Sequence, residues 1–455
     1  MKKILSIIFV AVLAMSCSSR CEFTNAQFKT PDCPQGMKIN ATFLDEISWD
    51  IPHQNWGVEE WDQDFRAMKD MGINTVVLIR AGLGRWIAAP FESILATEDV
   101  YYPPVDLVEM FLCLADKYDM AFYFGMYDSG KYWHEGDYLK EIDLNIKLID
   151  EVWAKYGHHK SFQGWYLSQE VSRRTKNMTK IYAEVGRHAK EVSGNLPTMV
   201  SPYIHGVKTD QVMWGDNATT VSEHEFEWNE ILSNLQGVVD ILAFQDGQVD
   251  YHELYDYLVV NKKLADKYGM KCWTNFESFD RDMPIRFLPI KWEKLLLKME
   301  MARKAGMDGA ITFEFSHFMS PNSEYSQAGH LYDRYCEHFG IENKWKDPTR
   351  TFHLSLTSPE EFLICKEACY RYHQQSDEQA SEHAPERRTD AYPVKPWQDA
   401  AEGKYRSCEE VCHRVGEHRI LAAAAQAASL DMPSELEGED KCSGEGSHSA
   451  CRKHV

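Results

Sequence analysis

The sequence predicts an α/β fold, a closed (β/α)8 or TIM barrel with an irregular C-terminal extension, on two observations. Between residues 39 and 340 one unit recurs eight times: a short apolar, β-rich run, a loop, then a longer amphipathic run. Roughly 300 residues divided among eight such units is the scale of a parallel barrel with inserted loops. A doubly wound sheet would need fewer parallel units and a Gly-rich first turn. The nearest stretch, AGLGRW at 81–86, lacks the third Gly and follows the second strand, so it reads as a loop.

The expected strands are INATFLDE (39–46), INTVVLIRA (73–81), MAFYFGMYD (120–128), FQGWYLSQE (162–170), PTMVSPY (197–203), VDILAFQDG (239–247), KCWTNFESF (271–279) and GAITFEFSH (309–317). Each is rich in β-branched or aromatic residues. The expected helices are VEEWDQDFRAMKDMG, VDLVEMFLCLADKYD, the run from Tyr138 to Tyr156, TKIYAEVGRHAKEV, the stretch around EWNEILSNLQ, YHELYDYLVVNKKLADKYG, KWEKLLLKMEMARKAG and AGHLYDRYCEHFG. Several close on Gly or a basic last turn, as helix C-termini do. The phrases ADKYDM and ADKYGM do one job twice: a helix stops and a strand starts.

The N-terminus, MKKILSIIFVAVLAMSCSSR, has a basic start, an apolar run too short to span a bilayer, and small residues after it. It reads as a leader over 1–16. Leu13 to Cys17 resembles a bacterial lipobox, which implies acylation of Cys17 and a lipid anchor as the only membrane attachment; ordinary cleavage near Ser16 is the alternative. The mature chain is then exported, on the periplasmic or the cell-surface face. A tether (17–37) leads into the barrel domain (38–345). Export permits disulfides. Cys21 and Cys33 are close enough in sequence to pair, whereas Cys113, Cys272 and Cys336 read as buried thiols. Residues 346–455 lose the strand pattern. The polar stretch from Tyr372 to Lys404 reads as linker or disorder. Cys365/Cys369 and Cys408/Cys412 leave a small stapled or metal-holding appendix as the alternative.

A formal net charge of −21 argues against a nucleic-acid partner. With 13 Trp and 22 Tyr the chain has ample flat apolar surface for core and ligand. The chemistry appears where strands end, because barrel enzymes carry their reactive groups there. Those ends are crowded with acids: Asp45 and Glu46, Asp128, Glu170, Asp246, Glu277, with Glu314 late in the eighth strand. Clustered carboxylates repel unless a ligand, cation or proton uses them. Glu170 and Glu277 end strands four and seven, on opposite sides of the mouth. Glycoside cleavage needs such a pair, one carboxyl to protonate the leaving oxygen and one to attack or to activate water. Asp246 is the candidate third catalytic carboxylate, with a helix cap as its alternative role.

This layout resembles the superfamily of retaining (β/α)8 glycoside hydrolases. The resemblance implies that Glu170 is the acid/base and Glu277 the nucleophile. More closely, ATFLDEISWDIPHQNW, FQGWYLSQE, DILAFQDG and FEFSHFMSP resemble the DUF4434 family of exported, glycosidase-like barrels from Bacteroidetes, over roughly residues 38–340. One departure is Gln169, where the superfamily often has the Asn that binds the sugar 2-hydroxyl. Arg80, Tyr203, His205, Gln245, Asn275, Glu314 and His317 are the candidate contacts to sugar hydroxyls. Among Trp49, Trp56, Trp86, Trp133 and Trp214, one or two are expected to stack on a ring, with Trp56 carried as a substrate contact.

The expected partner is an oligo- or polysaccharide. No cofactor and no metal are expected: the first strand has no histidine, HExxH is absent, and the neighbours His158 and His159 point apart in a helix-ending turn. GxSxG and a P-loop are also absent. The rival reading is a glycan-binding lipoprotein that cuts nothing.

Overall fold

The structure, a computed structural model, describes residues 34–48, 51, 54–173, 175–209, 217–281 and 287–347. The expected leader, Cys17, the pairing of Cys21 with Cys33, both C-terminal CxxxC pairs, Trp49 and Trp214 lie outside the described residues.

Eight parallel strands close into a barrel: β1 (Ala41–Leu44), β2 (Thr75–Leu78), β3 (Ala121–Gly125), β4 (Phe162–Tyr166), β5 (Thr198–Val200), β6 (Ile241–Gln245), β7 (Lys271–Glu277) and β8 (Gly309–Phe313). Each pairs with the next, and β8 returns to β1. The eight longer helices are α1 (Val58–Met71), α2 (Leu107–Tyr118), α3 (Tyr138–Tyr156), α4 (Met178–Val192), α5 (Val221–Ser233), α6 (Tyr251–Tyr268), α7 (Trp292–Ala305) and α8 (Ser326–Phe339), and a short helix spans Phe315–Phe318. All eight strands fall inside their expected ranges, and none of these helices is long and apolar enough to cross a membrane.

Two cores follow from strand periodicity. Successive strand residues point to opposite faces. Ala41, Phe43, Val77, Tyr123, Tyr166, Ile241, Ala243 and Ile311 therefore fill the barrel interior. Their neighbours Leu44, Val76, Phe122, Trp165 and Leu242 pack outward under the helices. The twin phrases do act alike: Asp119 (φ 51°) and Gly269 (φ 73°) both end their helices in the left-handed region.

Three expectations change. Helix α5 starts at Val221, well before EWNEILSNLQ. Thr220 and Glu223 form a capping box there, ahead of a first turn too polar to show apolar periodicity. AGLGRW is not only loop: Gly82–Leu83 pairs with Trp86–Ile87 and with Tyr127–Asp128 in a small sheet over the mouth. Cys113 is exposed, not buried, because it lies on the solvent side of α2 opposite Phe111, Leu114 and Ala115.

Candidate active site

The C-terminal ends of the strands surround a cavity of about 490 Å3 whose lining includes Glu170 and Glu277. Glu277 is the last residue of β7 and is nearly buried. Its backbone N–H donates to Asp246 Oδ1 at 3.0 Å, and Lys298 from α7 donates to the same oxygen at 2.9 Å. The Glu277 carboxylate lies against Gly247, where an added Cβ would fall 1.8 Å from Oε1. Arg281 grips the carboxylate from the other side: Nε donates to Oε2 at 2.7 Å and Nη2 to Oε1 at 2.6 Å. Burial alone would lower the Arg281 guanidinium, but Glu277 outweighs it and holds the proton in place.

Glu170 stands four residues past the end of β4 and is more open than Glu277. Both of its contacts fall on Oε2: the Tyr203 hydroxyl donates at 2.6 Å, and Arg80 Nη2 lies 3.1 Å away. Arg80 also faces Asp128, 3.8 Å from its Nε. Burial and the adjacent Glu170 push the Tyr203 hydroxyl well above its usual range, so it stays a donor. Asp128 accepts the Trp133 indole N–H at 2.8 Å. The site is thus two carboxylate–arginine pairs facing one space, with Asp128 as a further anion.

Gln245 and Asn275 line the cavity as expected and are steadied on Ser201: Gln245 Nε2 donates to its carbonyl at 2.8 Å, Asn275 Nδ2 to its hydroxyl at 2.9 Å. The expected third catalytic carboxylate and four expected sugar contacts lie elsewhere. Asp246 is buried behind β7, so it supports Glu277 and does not face the cavity. Glu314 caps a short helix, accepting from the N–H groups of Ser316 (2.9 Å) and His317 (2.6 Å), and its Oε1 lies 2.6 Å from His317 Nδ1. His317 is spent on that pair: burial would lower its pKa, but Glu314, Asp45 and Glu46 raise it to about 9. His205 is buried, its carbonyl accepting from Thr219 at 2.8 Å. Trp56 packs edge-on against Trp61 of α1 at 5.1 Å, in the outer core.

The apolar wall comes instead from Phe279, Phe287, Phe313 and Tyr166, with Trp133 the tryptophan among the described residues that reaches the cavity. Trp86 lies against Tyr101, half exposed. Arg281 went unnoticed in the sequence, although ESFDR sets an arginine four places beyond the strand-ending glutamate. Gly247 and Lys298 carried no signal of their own.

Gln169 points away from the cavity: its Nε2 donates to Tyr127 O and to Glu141 Oε1, both at 3.0 Å. It therefore does not stand in for the superfamily's sugar-binding Asn. Burial raises the Glu141 pKa from 4.5 to about 7. A carboxyl whose folded pKa exceeds its unfolded value stabilises fully below the unfolded value, and that contribution is lost as pH rises through the folded one. Glu141→Gln keeps an acceptor for Gln169 and removes the titration. It is expected to leave stability unchanged at pH 4 and raise it at pH 8, by up to about 3 kcal/mol. Urea unfolding at the two pH values checks this; an equal change at both would contradict it.

Residues 39–325 match the family model described as a domain of unknown function, DUF4434. The chain belongs to the DUF4434 family. A solved structure, described as a putative alpha-L-fucosidase from Bacteroides thetaiotaomicron VPI-5482, is 55% identical with a TM-score of 0.66, covering 71% of this DUF4434 chain and 99% of that one. A Thermobacillus composti GH10 xylanase aligns at 11% identity and TM-score 0.37, over 61% of this chain and 84% of its own. A beta-D-glucuronidase from Dictyoglomus thermophilum aligns at 14% and 0.38, over 67% and 51%. Those two likenesses are too loose to bear on chemistry. None of the curated proteins matches the chain.

Proposed function

We propose that this DUF4434 protein is a glycoside hydrolase that uses Glu170 and Glu277. The observation that carries the reading is that both glutamates, one just past β4 and one ending β7, line the same cavity of about 490 Å3. A ring resting on Phe279, Phe287 or Phe313 would turn its hydroxyls toward Gln245 and Asn275. With Glu170 Oε2 held by Arg80 and Tyr203, Oε1 is the oxygen that carries the proton to the glycosidic oxygen as that bond breaks. Glu277 attacks the anomeric carbon, and water deprotonated by Glu170 then releases the sugar. Attack requires Arg281 to give up one Glu277 oxygen, its place on the guanidinium taken by a substrate oxygen.

The description of the 55%-identical relative makes aryl α-L-fucosides the first substrates to try, within a wider aryl-glycoside panel. The parent is expected to release the phenol. Glu170→Gln and Glu277→Gln, folded by circular dichroism, are each expected to lose at least about a hundredfold. Glycosides with very good leaving groups spare Glu170→Gln part of its loss, since they need less acid assistance. Export, with acylation of Cys17, belongs to the same proposal.

A second reading is favoured by the Arg281 fork, which occupies both Glu277 oxygens. In it the cavity binds a glycan without cutting it. Saturable glycan binding by the parent, with no product from any member of the panel, would favour this reading over hydrolysis.

A further inference from the structure

At the end of the barrel opposite the cavity, α2 and the turn between α3 and β4 bring a carboxylate, a thiol and an imidazole together. Glu109 and Cys113 stand one turn apart on the outer face of α2. His159 reaches them from the turn that precedes β4. Cys113 Sγ lies 3.7 Å from Glu109 Oε1, and His159 Nε2 lies 3.4 Å from Glu109 Oε2. One ligand atom from each residue falls within 4.8 Å of the other two. A tetrahedral zinc ion, with sulfur at ~2.3 Å and nitrogen or oxygen at ~2.0 Å, sets its donor atoms about 3.3–3.5 Å apart, so the three side chains close in slightly on the ion.

A second observation concerns the other side of the imidazole. His159 Nδ1 lies 2.8 Å from Asp116 Oδ2, and Asp116 is itself fixed by the Ser161 N–H, 2.8 Å from its Oδ1. An ionised carboxylate only accepts, so Nδ1 carries the hydrogen. Nε2 is then the ring nitrogen that faces Glu109 and Cys113. A metal ion would use all three donors, and a carboxylate behind the far ring nitrogen is the usual support of a metal-bound histidine.

We propose that Glu109, Cys113 and His159 form a zinc site, with Asp116 orienting the histidine and the fourth position open to solvent. The donor set of thiolate, imidazole and carboxylate suits zinc better than calcium or magnesium. The site clips α2 to the start of β4. It is independent of the glycosidase reading, since none of its residues lines the cavity. It departs from the sequence expectation of no metal: of the adjacent histidines, His159 alone joins the cluster.

The chain has 12 cysteines, so the test follows Cys113 alone. Full-length protein is alkylated with N-ethylmaleimide, with and without zinc, and labelling of the Cys113 peptide is timed by mass spectrometry. Zinc is expected to slow Cys113 labelling at least about tenfold in the parent, and a chelator to restore it. In Asp116→Asn the zinc needed for half protection should rise about 10- to 100-fold. In His159→Gln, folded by circular dichroism, zinc should protect little or not at all. Equal labelling rates with and without zinc in the parent would overturn the proposal, as would full protection in His159→Gln.

Discussion

Gly247→Ala is expected to lower activity on any cleaved glycoside by at least about a hundredfold, because a misplacement of about 1 Å at a reacting group already costs that much. A Cβ at position 247 would sit 1.8 Å from Glu277 Oε1 and 2.2 Å from its Cδ. The carboxylate must therefore leave its place at the end of β7, and the two bonds from Arg281 go with it. Stability should fall as well, by about 1–3 kcal/mol, as in other overpacked sites. Turnover and urea unfolding of the variant check both parts. Unchanged turnover would mean that the Glu277 position does not matter to the chemistry.

Lys298→Met is expected to destabilise the fold by about 3–5 kcal/mol, the cost of leaving a buried charge without its partner. Lys298 and Asp246 are both almost wholly buried, 2.9 Å apart, and Asp246 Oδ1 also accepts the Glu277 N–H. Burial raises the Asp246 pKa, and Lys298 opposes the rise. Removing the lysine widens the gap above the unfolded value, so the deficit grows as pH rises. Adding Asp246→Asn removes the orphaned charge and is expected to recover most of the loss. Urea midpoints at pH 5 and pH 8 for the single and double variants measure this. A double variant as unstable as Lys298→Met would contradict it.

The barrel was legible because its strands are short apolar runs with few competing patterns, and Glu170 and Glu277 stood out as charges ending such runs. The roles of the other acids were harder to read, since an acid at a strand end looks alike whether it meets a cavity or a helix. Strand parity would have helped. Ile241, Ala243 and Gln245 alternate inward on β6, so Asp246 falls on the outer side. On β8, Ile311 and Phe313 point inward and Glu314 does not. The same parity puts Asn275 and Glu277 on the cavity side of β7. Arg281 escaped notice because it lies in a loop, where side-chain direction follows from no period. The steric need for Gly247 arises between two strands and is invisible in either alone. Trp56 was misjudged because a loop tryptophan beside a helix start can pack on that helix, here on Trp61.

The central claim, that Glu277 attacks the sugar, is tested most directly by a crystal structure of Glu170→Gln with a bound, slowly cleaved glycoside. The account predicts an anomeric carbon about 3–3.5 Å from a Glu277 oxygen, at near-attack distance, with Arg281 withdrawn from that oxygen onto the sugar. A glycoside seated in the cavity with Arg281 still forked on Glu277, and the glutamates touching only its hydroxyls, would contradict it.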